Sequence, residues 1–160
     1  MFMDIGFGIL LSIGASLVFD APLTPALLAL GIISALLPDI DMLWFGIGRL
    51  LGSGRQDHRS FTHYPLLYIP AVGILYAFFG GLVASVVAAG VALHLIHDTT
   101  GLGWGIAWLA PFSYHKYRLL PVPAGDGRWI RNYYLRPGII AYLEYGTLLI
   151  ALCCLYLYAR

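Results

Sequence analysis

Residues 64–98 read YPLLYIPAVGILYAFFGGLVASVVAAGVALHLIHD. Two apolar runs, 64–80 and 82–97, meet at Gly80-Gly81, and the second run ends in His94, His97 and Asp98. Each run approaches the roughly 17–25 residues that a helix needs to cross a bilayer. A glycine pair between them allows a tight reversal. The stretch therefore predicts a helical hairpin in a membrane, with imidazoles and a carboxylate at one end. Ionisable groups beside lipid are costly, so their placement there points to chemistry.

The rest of the chain fits that setting. Its 160 residues are 60% hydrophobic and 11% charged, with a mean hydropathy of +0.82, well away from the composition of soluble domains. A formal charge of +1 and the lack of a long Lys/Arg block point to no nucleic-acid partner and no polybasic tether. Cys153 and Cys154 are adjacent in the last apolar run, where neighbouring helical side chains diverge; they read as small buried or lipid-facing residues.

Further apolar runs cover 5–19, 23–37 and 138–158, which makes about five spans in all. No basic segment precedes the first run, so it is expected to be retained as a span. Pro38 with Asp39 ends the second run, since proline cannot donate within a helix. Residues 42–51 and 102–112 are apolar but shorter and read as re-entrant or interfacial pieces. Prolines and the Gly125-Asp126-Gly127 turn mark 113–137 as a long polar loop.

Arg49, Arg55 and Arg59 fall in one loop, and Lys116, Arg118, Arg128, Arg131 and Arg136 in the other. The positive-inside rule makes both loops cytoplasmic. Asp39 and Asp41 then end the second span, His58 and His63 precede the third, and His94, His97 and Asp98 end the fourth. All three clusters reach one membrane face.

His94 and Asp98 are i,i+4 and share a helix face, with His97 on its edge. Nitrogen plus carboxylate donors suit zinc, manganese or iron. Asp39 and Asp41 point the same way only in extended chain, for which Pro38 argues at the residue before it; the other reading is a helix N-cap with acids in its first turn. His58 and His63 are five apart, so at least one belongs to the loop entering the third span. Arg59 suits an anionic substrate group through its planar fork, or anchors the chain at the cytoplasmic face. Thr62 orients a water or caps the third helix.

Asp39, Asp41, His58, His63, His94 and Asp98 exceed what one tetrahedral zinc requires, and suit two metal ions or one ion with a general base. Such an ion lowers the pKa of bound water toward roughly 7 and supplies hydroxide as nucleophile. Other catalytic patterns are missing: there is no His-Glu-x-x-His, no Gly-x-Ser-x-Gly and no P-loop. His115 and Lys116 fit a lipid-headgroup contact, and Glu144, inside the last span, is a candidate proton carrier or ion-pair partner.

Leu-Leu-Pro-Asp-Ile-Asp (36–41), His-Arg-Ser-Phe-Thr-His (58–63) and His-Leu-Ile-His-Asp (94–98), followed by Pro111, resemble the signature of the YdjM-like (LexA-regulated type), membrane-bound, metal-dependent hydrolases. The resemblance covers roughly 30–112 and implies Asp39, Asp41, His58, His63, His94 and Asp98 as metal-site residues. His97 has no required counterpart. Many such proteins carry a histidine in the first span where this chain has Gly6-Phe7-Gly8-Ile9, which leaves His97 or Asp4 as replacements.

The expected protein is all-α and integral to the inner membrane, one transmembrane domain over 1–160, with about five transmembrane helices and one or two short re-entrant or interfacial helices. A divalent metal, zinc or else manganese or iron, as one or two ions, activates water against an ester or phosphoester of a lipid or amphiphile at the cytoplasmic interface. Asp41, Arg59 and Thr62 are the expected catalytic residues, and membrane lipid the expected partner. The competing readings are a metal-binding or transport protein without hydrolysis, and a structural membrane protein whose histidines bond between helices.

Overall fold

Helices form along the apolar runs. The computed structural model describes residues 1–42, 61–100, 105–119, 135 and 138–160. Helix α1 spans Phe2–Val18, α2 Pro25–Leu36, α3 Pro65–Thr100 and α4 Ile139–Tyr158. Thr24 starts α2: its hydroxyl accepts the Leu27 N–H at 3.1 Å, and Pro25 takes the first position, where a missing N–H costs nothing. Beyond Leu36 the chain tightens into a 3-10 turn, Leu37–Ile40, with Pro38 among its first residues. Leu37, expected to be pushed out of the helical region, stays in it (φ −57°, ψ −40°), because the early positions of the turn accept a proline.

Gly80 breaks α3 with φ 80° and ψ 176°, a conformation essentially confined to glycine. A straight 36-residue helix would hold its ends about 54 Å apart. Here His63 Nε2, just before α3, lies 3.4 Å from Asp98 Oδ2 near its end. The helix is thus a hairpin, and Tyr68 and Leu75 of its first arm pack on Val87, Val91 and Leu95 of the second. Gly80→Ala is expected to lower stability by about 1–3 kcal/mol, read as a reduced melting temperature in detergent. An unchanged melting temperature would mean that the reversal does not need glycine.

Many of the buried residues are small or polar, and many large apolar side chains face outward. Ala15, Ala35, Ala84, Ala141 and Ala151 are buried with Ser12 and Ser34, whereas Ile33, Ile69, Phe78, Phe79 and Leu157 are exposed. Lipid solvates apolar side chains, so helices in a bilayer gain by close backbone approach rather than by hiding leucines. At the α1–α2 crossing, a Cβ on Gly31 would collide with the Gly8 carbonyl and the Ser12 hydroxyl. Cys153 is exposed and Cys154 half-buried; both are free thiols.

The span count is where structure and expectation part. α2 has 12 residues and rises about 18 Å, short of a hydrocarbon core of about 30 Å. Among the described residues, α3 and α4 are the helices long and apolar enough to cross, while Phe2–Val18 and Pro25–Ile40 are shorter apolar helices. About five spans is therefore not confirmed.

Of the two short apolar pieces, 42–51 lies outside the described residues apart from Met42. Of 102–112, residues 102–104 also lie outside the described residues; 105–107 are irregular with a bridge at Ile106, and 108–112 are turns, not a helix. The chain there bonds across to the start of the polar loop: Ile106 and Tyr117 exchange backbone bonds of 3.0 and 2.9 Å. The Leu119 N–H donates to the Thr99 carbonyl at 2.9 Å, and the Trp108 indole to the Thr99 hydroxyl at 3.0 Å. This loop is docked on the end of α3 that carries His94 and Asp98.

Candidate metal centre

Three segments bring their donors to one point. The turn after α2 supplies Asp39, a second 3-10 turn (Phe61–His63) supplies His63, and the last turns of α3 supply His94 and Asp98. Asp39 Oδ1 is 3.5 Å from His63 Nε2 and 3.6 Å from His94 Nε2. Asp98 Oδ2 is 3.4 Å from His63 Nε2 and 3.7 Å from His94 Nε2. Asp39, His63 and His94 each offer a ligand atom within 4.8 Å of the others. Donors bound at about 2.0–2.2 Å to one tetrahedral ion stand roughly 3.3–3.6 Å apart. The four histidine–carboxylate spacings, 3.4–3.7 Å, lie close to that range.

The protonation of His94 follows from its surroundings. Its Nδ1–H donates to the Ala35 carbonyl at 2.8 Å, an acceptor that cannot donate. That carbonyl is available because Ala35 lies in the last turn of α2, where carbonyls lack intrahelical partners. The proton is held on Nδ1, and the Nε2 lone pair points at two carboxylates. His94 Nε2 is buried and has no hydrogen-bond partner. Burying a bare lone pair against anions is unfavourable, and a cation among them relieves it. Gly90, one turn earlier, lets α3 approach α2 closely enough for this bond.

Asp41 and Thr62 serve the other edge of His63. Asp41 Oδ2 is 3.5 Å from Nδ1, and the Thr62 hydroxyl 3.2 Å from the same nitrogen. Asp39 and Asp41 thus do not point the same way, as extended chain would have it. The 3-10 turn sends them to opposite edges of one ring, Asp39 toward the proposed ion and Asp41 behind the imidazole. His58 and Arg59 lie outside the described residues. His115 is placed away from the cluster, its ring 4.8 Å from that of Tyr117 in the docked loop.

Burial of His63 opposes its charged form, but Asp39 and Asp41, with Asp98 close by, outweigh this and hold its pKa above the ordinary imidazole value. In the metal-free protein this raised value contributes stability that is complete below the unfolded pKa and is lost as pH rises through the folded one. A metal ion must displace the proton. Apparent metal affinity is therefore expected to fall by up to about tenfold per unit as pH drops below the raised value. Calorimetric titration in two buffers of different ionisation enthalpy would detect the released proton; binding without proton release would contradict the assignment.

Behind His94 lies a second polar layer that sequence reading placed at the margin. His97 Nδ1 donates to Asp4 Oδ1 at 3.0 Å, and His97 Nε2 lies 3.2 Å from Glu144 Oε1. Glu144 also accepts the Met3 N–H at 2.9 Å, and the Met1 amine sits 2.7 Å from Asp4 Oδ2 and 3.3 Å from Glu144 Oε2. Asp4, His97 and Glu144 are all buried. The sequence signal was an acid near the start of the first apolar run and another inside the last; which imidazole each would meet depended on how α1, α3 and α4 pack.

Fold and site together define an all-helical protein with a lipid-compatible exterior and a buried histidine–carboxylate centre. The chain matches the family described as YdjM inner membrane protein over residues 2–160, and it belongs to that family. It is also similar to the inner membrane protein YbcI of Escherichia coli (strain K12), with 39% identity over 103 residues, 58% of each chain. No solved structure matches.

Proposed function

We propose that the protein is a membrane-embedded, metal-dependent hydrolase that cleaves an ester or phosphoester of a lipid or amphiphile from the cytoplasmic interface. The observation that carries this reading is the convergence of Asp39, His63 and His94 from three segments. The N/O donor set suits zinc, with manganese or iron as the other fits. A divalent ion held there supplies Lewis acidity, enough to bring the ionisation of water to near neutral pH.

The chain's own residues take the remaining roles. His63 and His94 hold the ion from positions at most 2% exposed. Asp39 and Asp98, whose side chains are 22% and 14% exposed, border the outer side, where a substrate enters. In this reading Asp98, beside the Asp39–His63–His94 triad, accepts a proton from water on that side, while Asp41 and Thr62 keep the His63 ring in register. Arg59 pairs with an anionic headgroup. Phe61, Phe112 and Tyr114 are exposed at this end of the bundle, with the Tyr114 ring 5.8 Å from that of Tyr64, the residue after His63. Aromatic side chains of this kind favour the bilayer–water boundary.

The test is metal analysis of gently purified protein together with hydrolysis across a panel of phospholipids and soluble phosphoesters. Stoichiometric metal and metal-dependent turnover are expected. Metal without turnover would leave binding alone, and metal uptake into proteoliposomes that is lost in Asp39→Asn would replace hydrolysis by transport.

A further inference from the structure

We propose that Asp4 is a positioning residue of the metal centre, holding His94 and His97 through one carboxylate oxygen, with Glu144 closing the chain from α4. The inference rests on the metal-binding reading above and adds a residue from the opposite end of the sequence. Asp4 Oδ1 lies 3.3 Å from His94 Nδ1 and 3.0 Å from His97 Nδ1. His94 Nδ1 therefore faces two acceptors, the Ala35 carbonyl at 2.8 Å and this carboxylate. The carbonyl fixes which nitrogen bears the proton. The carboxylate adds a negative charge behind the ring, which makes Nε2 a stronger donor toward a cation.

Asp4 itself is held on all sides. It is 1% exposed, and its second oxygen meets the Met1 amine at 2.7 Å. His97 is fixed between Asp4 and Glu144. Packing alone does not lock that ring, because His97 borders a cavity of about 100 Å³ lined also by Thr100, Ile139, Leu143 and Glu144. Its two carboxylate partners do the locking. The path from Glu144 through His97 and Asp4 to His94 ties α4 and α1 to the ligand-bearing end of α3. A loss of Asp4 is thus felt at the ion through a looser and less electron-rich His94, with the three facing donors unchanged in identity.

The experiment is Co2+ titration of the full chain in detergent, followed by the metal's d–d absorption, for the wild type, Asp4→Asn, Asp4→Ala and Ser12→Ala. Ser12 is a buried residue of α1 whose hydroxyl bonds the Gly8 and Leu27 carbonyls, so it reports on general loosening of α1. Removal of a group that orients a ligand costs roughly 10–100-fold in metal affinity. The expected order is wild type, then Asp4→Asn about tenfold weaker with the wild-type spectrum, then Asp4→Ala near the hundredfold end with a shifted spectrum. Ser12→Ala is expected to bind as the wild type does.

Wild-type affinity and spectrum in Asp4→Ala would overturn the positioning role even if its melting temperature falls. If Asp4→Ala does not fold, wild-type affinity in Asp4→Asn overturns it. Equal weakening in Ser12→Ala would also overturn it, as a mere effect of helix packing. Failure of the wild type itself to bind Co2+ or Zn2+ would instead remove the metal-binding reading, a result distinct from each of these.

Discussion

His94→Ala is expected to abolish stoichiometric metal binding, while His115→Ala leaves it intact. His94 is the donor with the most complete support: its Nδ1–H is committed to the Ala35 carbonyl, and its Nε2 faces Asp39 Oδ1 at 3.6 Å and Asp98 Oδ2 at 3.7 Å. Losing a ligand outright should cost more than the roughly 10–100-fold that follows loss of an orienting partner. It also leaves carboxylates clustered around a void with less to neutralise them, which is unfavourable in a buried site. Metal content after purification and a Co2+ titration measure the effect. His115, exposed in the docked loop, is the control. Equal metal content in the two variants would mean that the ion, if any, binds elsewhere.

The second large effect is expected from Gly90→Ala, a change remote from any donor atom. A Cβ at this position would stand 2.8 Å from Ser34 Cβ and 2.9 Å from the Ala35 backbone nitrogen. Neither can swing aside, because both belong to or sit directly on the α2 backbone. The two helices must therefore separate, and the bond from His94 to Ala35 lengthens with them. Overpacking of this kind costs about 1–3 kcal/mol, and loss of the orienting bond weakens metal binding by a further 10–100-fold or so. Gly14→Ala is the matched control, since nothing lies within 4 Å of a Cβ there; it should be neutral or stabilise α1 by about 0.5–1 kcal/mol. Thermal unfolding and Co2+ affinity in both variants decide the matter. Wild-type metal affinity in Gly90→Ala would mean that the Ala35 bond does not control the site.

Periodicity and composition carried the hairpin. Gly80-Gly81 between two apolar runs of similar length left few alternatives, since an unbroken helix of that length would overshoot a bilayer. The same runs carried the co-location of His63 with His94 and Asp98, because a hairpin returns its start to its end. The number of crossings was less legible. Hydropathy reports how apolar a run is, whereas helix length depends on where the helix is capped, and Thr24 and Leu37 cap α2 at 12 residues.

Within the site, residue type and spacing picked out Asp39, Asp41, His58, His63, His94 and Asp98 as mixed N/O donors at one end of the helices, and among the described residues Asp39, His63 and His94 offer ligand atoms within 4.8 Å of one another. Type and spacing were not enough to separate Asp39 from Asp41. Asp39 within the 3-10 turn and Asp41 at its C-cap diverge around the axis, and the difference between facing an ion and backing an imidazole is one of direction, which the linear pattern does not encode. Glu144 was visible as an acid inside an apolar run and Asp4 as a stand-in for a missing first-span histidine, but not as the two partners of His97.

What the sequence determined by itself was therefore the class and the inventory: an apolar helical chain, its hairpin, and the few side chains able to bind a metal. These follow from transfer energies and local backbone preferences, which are properties of short segments. Only the tertiary structure decided which nitrogen of His94 is free to bind, which face of His63 each aspartate meets, and that α1 and α4 send acids to His97. Those outcomes depend on contacts between residues up to 93 positions apart, set by how closely backbones approach at Gly90, Gly31 and Gly8.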